Sequence, residues 1–148
     1  FIKDPYNDHK PGTRDDHSET AYASIEARNL AAVAHYGSTQ APHRIPVTYF
    51  PGVYFQRDEL DFAVDVSDFF ETRVEAEATY VSQGHTPESS RLRISVTTGG
   101  LGHYFKVAHA EGFVRDKPPL FSRLPLPEAA VSQASESHDE ALQRRLQT

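Results

Sequence analysis

The chain contains no cysteine, no methionine and no tryptophan. Without cysteine there is no disulfide and no thiolate to hold a metal, so thiol chemistry is excluded and cysteine usage says nothing of compartment. The joint absence of oxidisable residues suits an extracellular setting and suits a short fragment equally. Apolar residues are also scarce, at 38%, which is low for a globular domain. No apolar run approaches the ~18 residues that a membrane-spanning helix needs, so no membrane span is expected. Basic residues are outnumbered, 15 against 21 acidic ones, for a net charge of −6. Phosphate binding requires concentrated Lys and Arg, which argues against a nucleic-acid partner.

What is present reads as alternating elements. Residues 1–16 are polar and rich in turn formers, with Asp4-Pro5, Asn7-Asp8 and Pro11-Gly12. A helix is predicted from His17 to Tyr36, started by Asp15 and Asp16 at its positive end and stopped by Gly37. Arg44 to Phe50 is β-branched and aromatic, a short strand that Pro46 pushes towards an edge. Leu60 to Val66 alternates, with Leu60, Phe62, Val64 and Val66 on one face, as in a strand buried on one side. The helix that follows carries Phe70, Val74, Ala78 and Val81 as its apolar stripe, and Gly84 ends it. Residues 92–109 have the alternation of a β-hairpin turning at Gly99-Gly100. Gly112 to Arg115 reads as a strand, and four prolines between Pro118 and Pro127 make an extended arm before a polar helix over 128–146.

Three segments in order carry a family resemblance. Val64-Asp65-Val66-Ser67-Asp68, followed by Arg73 to Gln83 with its terminal Ser82-Gln83, resembles a strand–helix–S-Q segment of the LmbE/PIG-L zinc-dependent N-deacetylases. Asp15-Asp16-His17 at a helix start resembles their metal-binding H-P-D-H, and Ala110-Glu111-Gly112-Phe113 their A-E-a-F. The family's opening A-H-P-D-D-E has no counterpart, and the chain begins at Phe1 without an initiator Met. The expectation is therefore the back portion of a deacetylase-like domain over 1–115, with an arm and tail over 116–148. The resemblance also places a helix where 92–109 intrinsically favours a hairpin. Three glycines there would cost that helix roughly 2–3 kcal/mol relative to alanine, a cost that close packing would explain. The helix is the expectation taken.

The resemblance implies a site. His17 falls on the last His of H-P-D-H, the third protein ligand of a catalytic zinc or other divalent ion, and Asp16 on the Asp that orients it. Arg14 stands where the family has its first His, and Asp15 where it has Pro. Asp16 and Arg14 are thus the catalytic-side candidates and His17 the metal ligand. An alternative register, His17-Ser18-Glu19-Thr20, would put Thr20 at the ligand position. Asp-Asp-His is also ordinary N-terminal helix electrostatics. Asp8, His9, Asp16 and His17 form a second possible cluster. His103, which with His109 flanks an aromatic stretch, is a candidate substrate contact or a partly buried histidine on a packed element. Glu111 is either a buried anchor or a site residue, Ser82 and Gln83 finish a helix, and Tyr49, Phe50, Tyr54 and Phe55 are either core or a sugar-stacking surface.

The resemblance implies an N-acetylated sugar or sugar conjugate as substrate, zinc-bound water attacking its acetamide, and an N-terminal complementing segment or chain as partner. The 148 residues alone are expected to be inactive. A non-catalytic carbohydrate- or protein-binding relative, and an assembly protein docking through its tail, are the alternatives. The implied fold is α/β, a mostly parallel Rossmann-like sheet with flanking helices, incomplete without its N-terminal half.

Overall fold

The computed structural model describes residues 16–34, 39–52 and 55–146. The chain divides into two units, Phe1–Phe50 and Pro51–Thr148. In the first, α1 spans Asp16–Ala31. It stops short of the expected Tyr36 because the chain tightens: the Ala32 and Val33 amides donate to the carbonyls three residues back, 3.3 and 3.1 Å away. The Ala31 carbonyl accepts from the His43 amide at 2.8 Å, and the Arg28 guanidinium reaches Thr48 Oγ1 at 2.8 Å. Tyr36 and Gly37 lie outside the described residues. The strand expected over 44–50 shrinks to β1, Tyr49–Pro51. Pro46 lacks an amide hydrogen to share and restricts the residue before it, so residues 41–47 stay exposed and unpaired by any strand.

The second unit holds β2 (Phe62–Asp65), α2 (Phe70–Ala78), α3 (Pro87–Phe105), β3 (Ala110–Arg115), α4 (Glu128–Ser135) and α5 (His138–Leu146). The strands form one sheet in the order β1–β3–β2. β2 and β3 run antiparallel, Phe62 opposite Phe113 and Asp65 opposite Ala110, with amide bonds from Asp61 and Val66 prolonging the pairing at both ends. At the other edge of β3 the Gly52 amide donates to the Gly112 carbonyl at 2.8 Å. The protein is therefore mixed α/β, but the parallel, Rossmann-like sheet expected from the resemblance is corrected: the sheet is small and antiparallel. The reason is parity. One helix between two strands returns the chain to lay them parallel. Here α3 doubles back along α2, so the chain reverses once more before β3.

That doubling back is fixed by charge and by small residues. Glu77 near the end of α2 meets His85, which precedes α3, and Glu71 at the start of α2 meets Arg91, one turn into α3. Between them Gly84 takes φ +81°, a left-handed turn, but it closes the 3-10 turn Val81–Gln83 rather than α2, which has already ended at Ala78. Thr86 then caps α3, accepting from the Ser89 amide, and Pro87 opens the first turn. The buried stripe of α3 is Ser90, Ile94, Thr98 and Gly102, four residues apart throughout. Small side chains bring the helix close to the chain entering β3. A Cβ on Gly102 would lie 2.5 Å from the Ala108 carbonyl oxygen, which is why a helix tolerates glycine there. The helix expected over the glycine-rich stretch is thus formed, ending at Phe105 rather than 109.

Among the described residues the fully buried apolar side chains are Val74, Ile94 and Ala110, one from each of α2, α3 and β3. Two expected core positions lie outside. Val81 is 72% exposed, because α2 ends at Ala78 and Val81 enters a separate 3-10 turn, Val81–Gln83. Val64 is exposed while Ala63 is half-buried, so the burial alternation of β2 fails beyond Phe62. The polar helix expected over 128–146 is two. Ser137 starts α5 with a capping box, its amide and hydroxyl donating to Glu140 at 2.8 and 2.6 Å, and this new start breaks the helix before it.

Candidate functional site

α2, α3 and β3 enclose a cleft of about 450 Å³ whose lining includes Arg57, Arg73, Glu77, Arg93, Glu111 and Phe55. Its charges are set by the packing just described. Glu111 of β3 accepts from Arg73 of α2, tying the helix to the sheet across the cleft wall. Glu77 is largely buried, with Arg93 at 3.2 Å and His85 at 3.4 Å. Its Oε1 makes these contacts without an aligned hydrogen bond, and the attraction to Arg93 is ionic, which needs no alignment. The Arg57 guanidinium lies 4.1 Å above the ring of Tyr104. Three guanidiniums and two carboxylates surround an apolar floor of Ile94 and Ala110, a lining able to hydrogen-bond hydroxyl or amide groups.

His109 sits beside this cleft, stacked on Phe70 with ring centroids 4.1 Å apart. Its Nδ1 is 2.8 Å from Thr98 Oγ1, and the Thr98 hydroxyl lies 2.7 Å from the Ile94 carbonyl. A hydroxyl has one proton, and here it goes to the carbonyl. Nδ1 of His109 must therefore be the donor, which leaves the lone pair of a neutral ring on Nε2. His103 is exposed on the next face of α3, where Ser95, Gly99, His103, Tyr104, Lys106 and His109 line an open hollow of about 690 Å³. The two histidines thus share one depression, His109 packed and His103 accessible.

Asp16 and His17 lie at the start of α1 in the first unit. Both are solvent-facing, their side chains 92% and 74% exposed. His17 Nε2 is 4.0 Å from Asp16 Oδ1, too far for the orienting hydrogen bond the resemblance implies. The hydroxyl of Thr20, the alternative ligand, donates to the Asp16 carbonyl at 2.6 Å. Arg14, Asp15, Asp8, His9 and Tyr54 lie outside the described residues. No group of three or more His, Cys, Asp or Glu capable of holding a metal exists among the described residues. A catalytic zinc needs three protein ligands, of which His17 would supply one.

Other candidates find structural work. Glu111 is an anchor, but for a guanidinium rather than for backbone donors. Ser82 and Gln83 are exposed in the turn after α2. Of the aromatics, Tyr49 is exposed while Phe50 and Phe55 are half-buried. Glu77 is not among the residues that the sequence singles out. The signal that could have found it is the pair of cationic candidates, His85 and Arg93, at the start and on the near face of the following helix. No protein-family model, no curated protein and no solved structure matches this chain.

Proposed function

We propose that the chain is the rear portion of a metal-dependent N-deacetylase acting on N-acetylated sugars or sugar conjugates, completed by polypeptide that carries the A-H-P-D-D-E segment. One observation carries the reading. α3 runs as a helix through Gly99-Gly100-Leu101-Gly102 against the strand propensity of its own residues, and it delivers Ala110-Glu111-Gly112-Phe113 as a strand. Strand, helix, Ser-Gln turn, helix and A-E-G-F strand follow one another in that order along the chain, and this order supports the reading. The thin core of Val74, Ile94 and Ala110, beside exposed Phe69 and Val96, is what a domain awaiting its other half would present.

On this reading the metal ligands other than His17 come from the complementing polypeptide, and the present residues bind and position. The test uses the complete native protein. Zinc should co-purify with it, acetate should be released from N-acetylated chitooligosaccharides, and His17→Ala should lose both. Full zinc retention in that variant would refute the assignment of His17. A metal-free, inactive complete protein would favour a non-catalytic relative, the reading that Arg14 and Asp15 in place of the family's His and Pro support.

A further inference from the structure

Between β3 and α4 the chain forms no helix or strand from Lys117 to Pro127. Its leucines have little cover: Leu120 is 100%, Leu124 94% and Leu126 79% exposed, while Phe121 is 52% exposed. Prolines at 118, 119, 125 and 127 restrict the backbone, so holding this arm in an extended shape costs little entropy. Lys117 and Arg123 are its charged residues, and both are positive.

The same unit carries a surface of complementary character. On the outer side of α2 and α3 lies an open groove of about 790 Å³. Val74, Ala78, Pro87 and Leu92 give it an apolar floor, and Leu92 is itself 67% exposed. Glu71, Glu75 and Glu88 stand on its rim against the single cation Arg91, which Glu71 already engages. The groove is thus acidic and apolar where the arm is basic and apolar. We infer that the α2–α3 groove receives the Lys117–Pro127 arm of a second copy, Leu124 and Leu126 entering the floor while Lys117 and Arg123 meet Glu75 and Glu88. The arm's leucines stand in solvent and the groove is open, so the exchange with a second copy covers both at once.

Sedimentation velocity on the 148-residue chain tests this. The chain should dimerise with rising concentration, less so as salt is raised. The double variant Leu124→Asp/Leu126→Asp, altered only at exposed positions, should keep the wild-type circular dichroism and dimerise about a hundredfold more weakly. Leu92→Asp should do the same from the groove side, and Glu75→Lys/Glu88→Lys serves if Leu92→Asp unfolds. An equimolar mixture of arm and groove variants should recover association, since one intact arm then meets one intact groove. A monomeric wild type, including one whose own arm folds onto its groove, overturns the proposal. So do variants that still dimerise as wild type, or a mixture that recovers nothing.

Discussion

At the scale of single residues, three neighbours in α3 and its exit separate packing from propensity. Gly100 is exposed with nothing within 4 Å of a Cβ position, so Gly100→Ala should stabilise by about 0.5–1 kcal/mol through helix propensity alone. Gly102 is buried against backbone atoms of Ala108 and His109, so Gly102→Ala should instead destabilise by about 1–3 kcal/mol. Urea melts followed by circular dichroism read both, and equal effects at the two sites would mean the close approach is not real. Lys106 holds φ +62° as α3 ends, with the Val107 amide closing on the Gly102 carbonyl at 3.0 Å. This is a Schellman stop built on a lysine, and Lys106→Gly should gain up to about 1 kcal/mol in the same assay. The left-handed stop at Gly84 was legible in the sequence, because glycine announces that conformation. The one at Lys106 was not, because nothing in a lysine does. Nor was the burial of Glu77, which depends on where Arg93 and His85 arrive from a different helix.

At the scale of elements, short-range pattern and packing competed, and packing decided. The 92–109 segment alternates like a strand, yet its buried residues recur every fourth position. The face that a strand reading builds from Leu92, Ile94 and Val96 is split in the folded protein, Ile94 buried and its two neighbours in solvent. Pro46 and the exposed 41–47 stretch show the reverse, a strand-like composition with no neighbour to pair with. The α2–α3 hairpin is held in part by Arg91, whose guanidinium hydrogen-bonds the Glu71 carboxylate at 2.7 Å. That hydrogen bond chiefly, with the attraction of the charges, keeps the Glu71 carboxyl below its ordinary value of 4.5. A carboxyl depressed by folding stabilises fully above its unfolded value and ceases to as pH falls through the folded one. The melting temperature should therefore drop as pH falls below about 4.5, and Arg91→Met should shallow that drop. An unchanged acid slope in the variant would assign it to other carboxylates. The pair is exposed, so the effect should shrink in high salt.

At the scale of the whole molecule, the class was readable and the sheet direction was not. Strand and helix order along 60–115 follows from periodicity and from the resemblance. Whether β3 returns parallel or antiparallel depends on whether α2 and α3 are one crossover or two, and that is settled by ion pairs between residues far apart in sequence. The candidate site was legible only as a set of residue types. Asp16 and His17 lie in a different unit from the cleft of Arg73, Glu77, Arg93 and Glu111, and no periodicity marks that cleft. The 148-residue chain alone, incubated with zinc and an N-acetylated chitooligosaccharide, should release no more acetate than the metal-only control. Turnover above that control would show the chain to be sufficient by itself.

The short passage from Phe105 to Ala110 also works as a ruler. Four residues, Lys106 to His109, span it, and its length sets which β3 side chains look towards the helices. An insertion of one residue would slide β3 by one step and turn every side chain over. A bulkier residue would then replace Gly112 beneath Leu60, where even a Cβ collides, and Glu111 would be carried away from Arg73. Chain length in this loop should accordingly tolerate alteration less than its composition does, and a library of single-residue insertions and deletions across 106–109 would reveal that frame as a sharp gap in surviving folds.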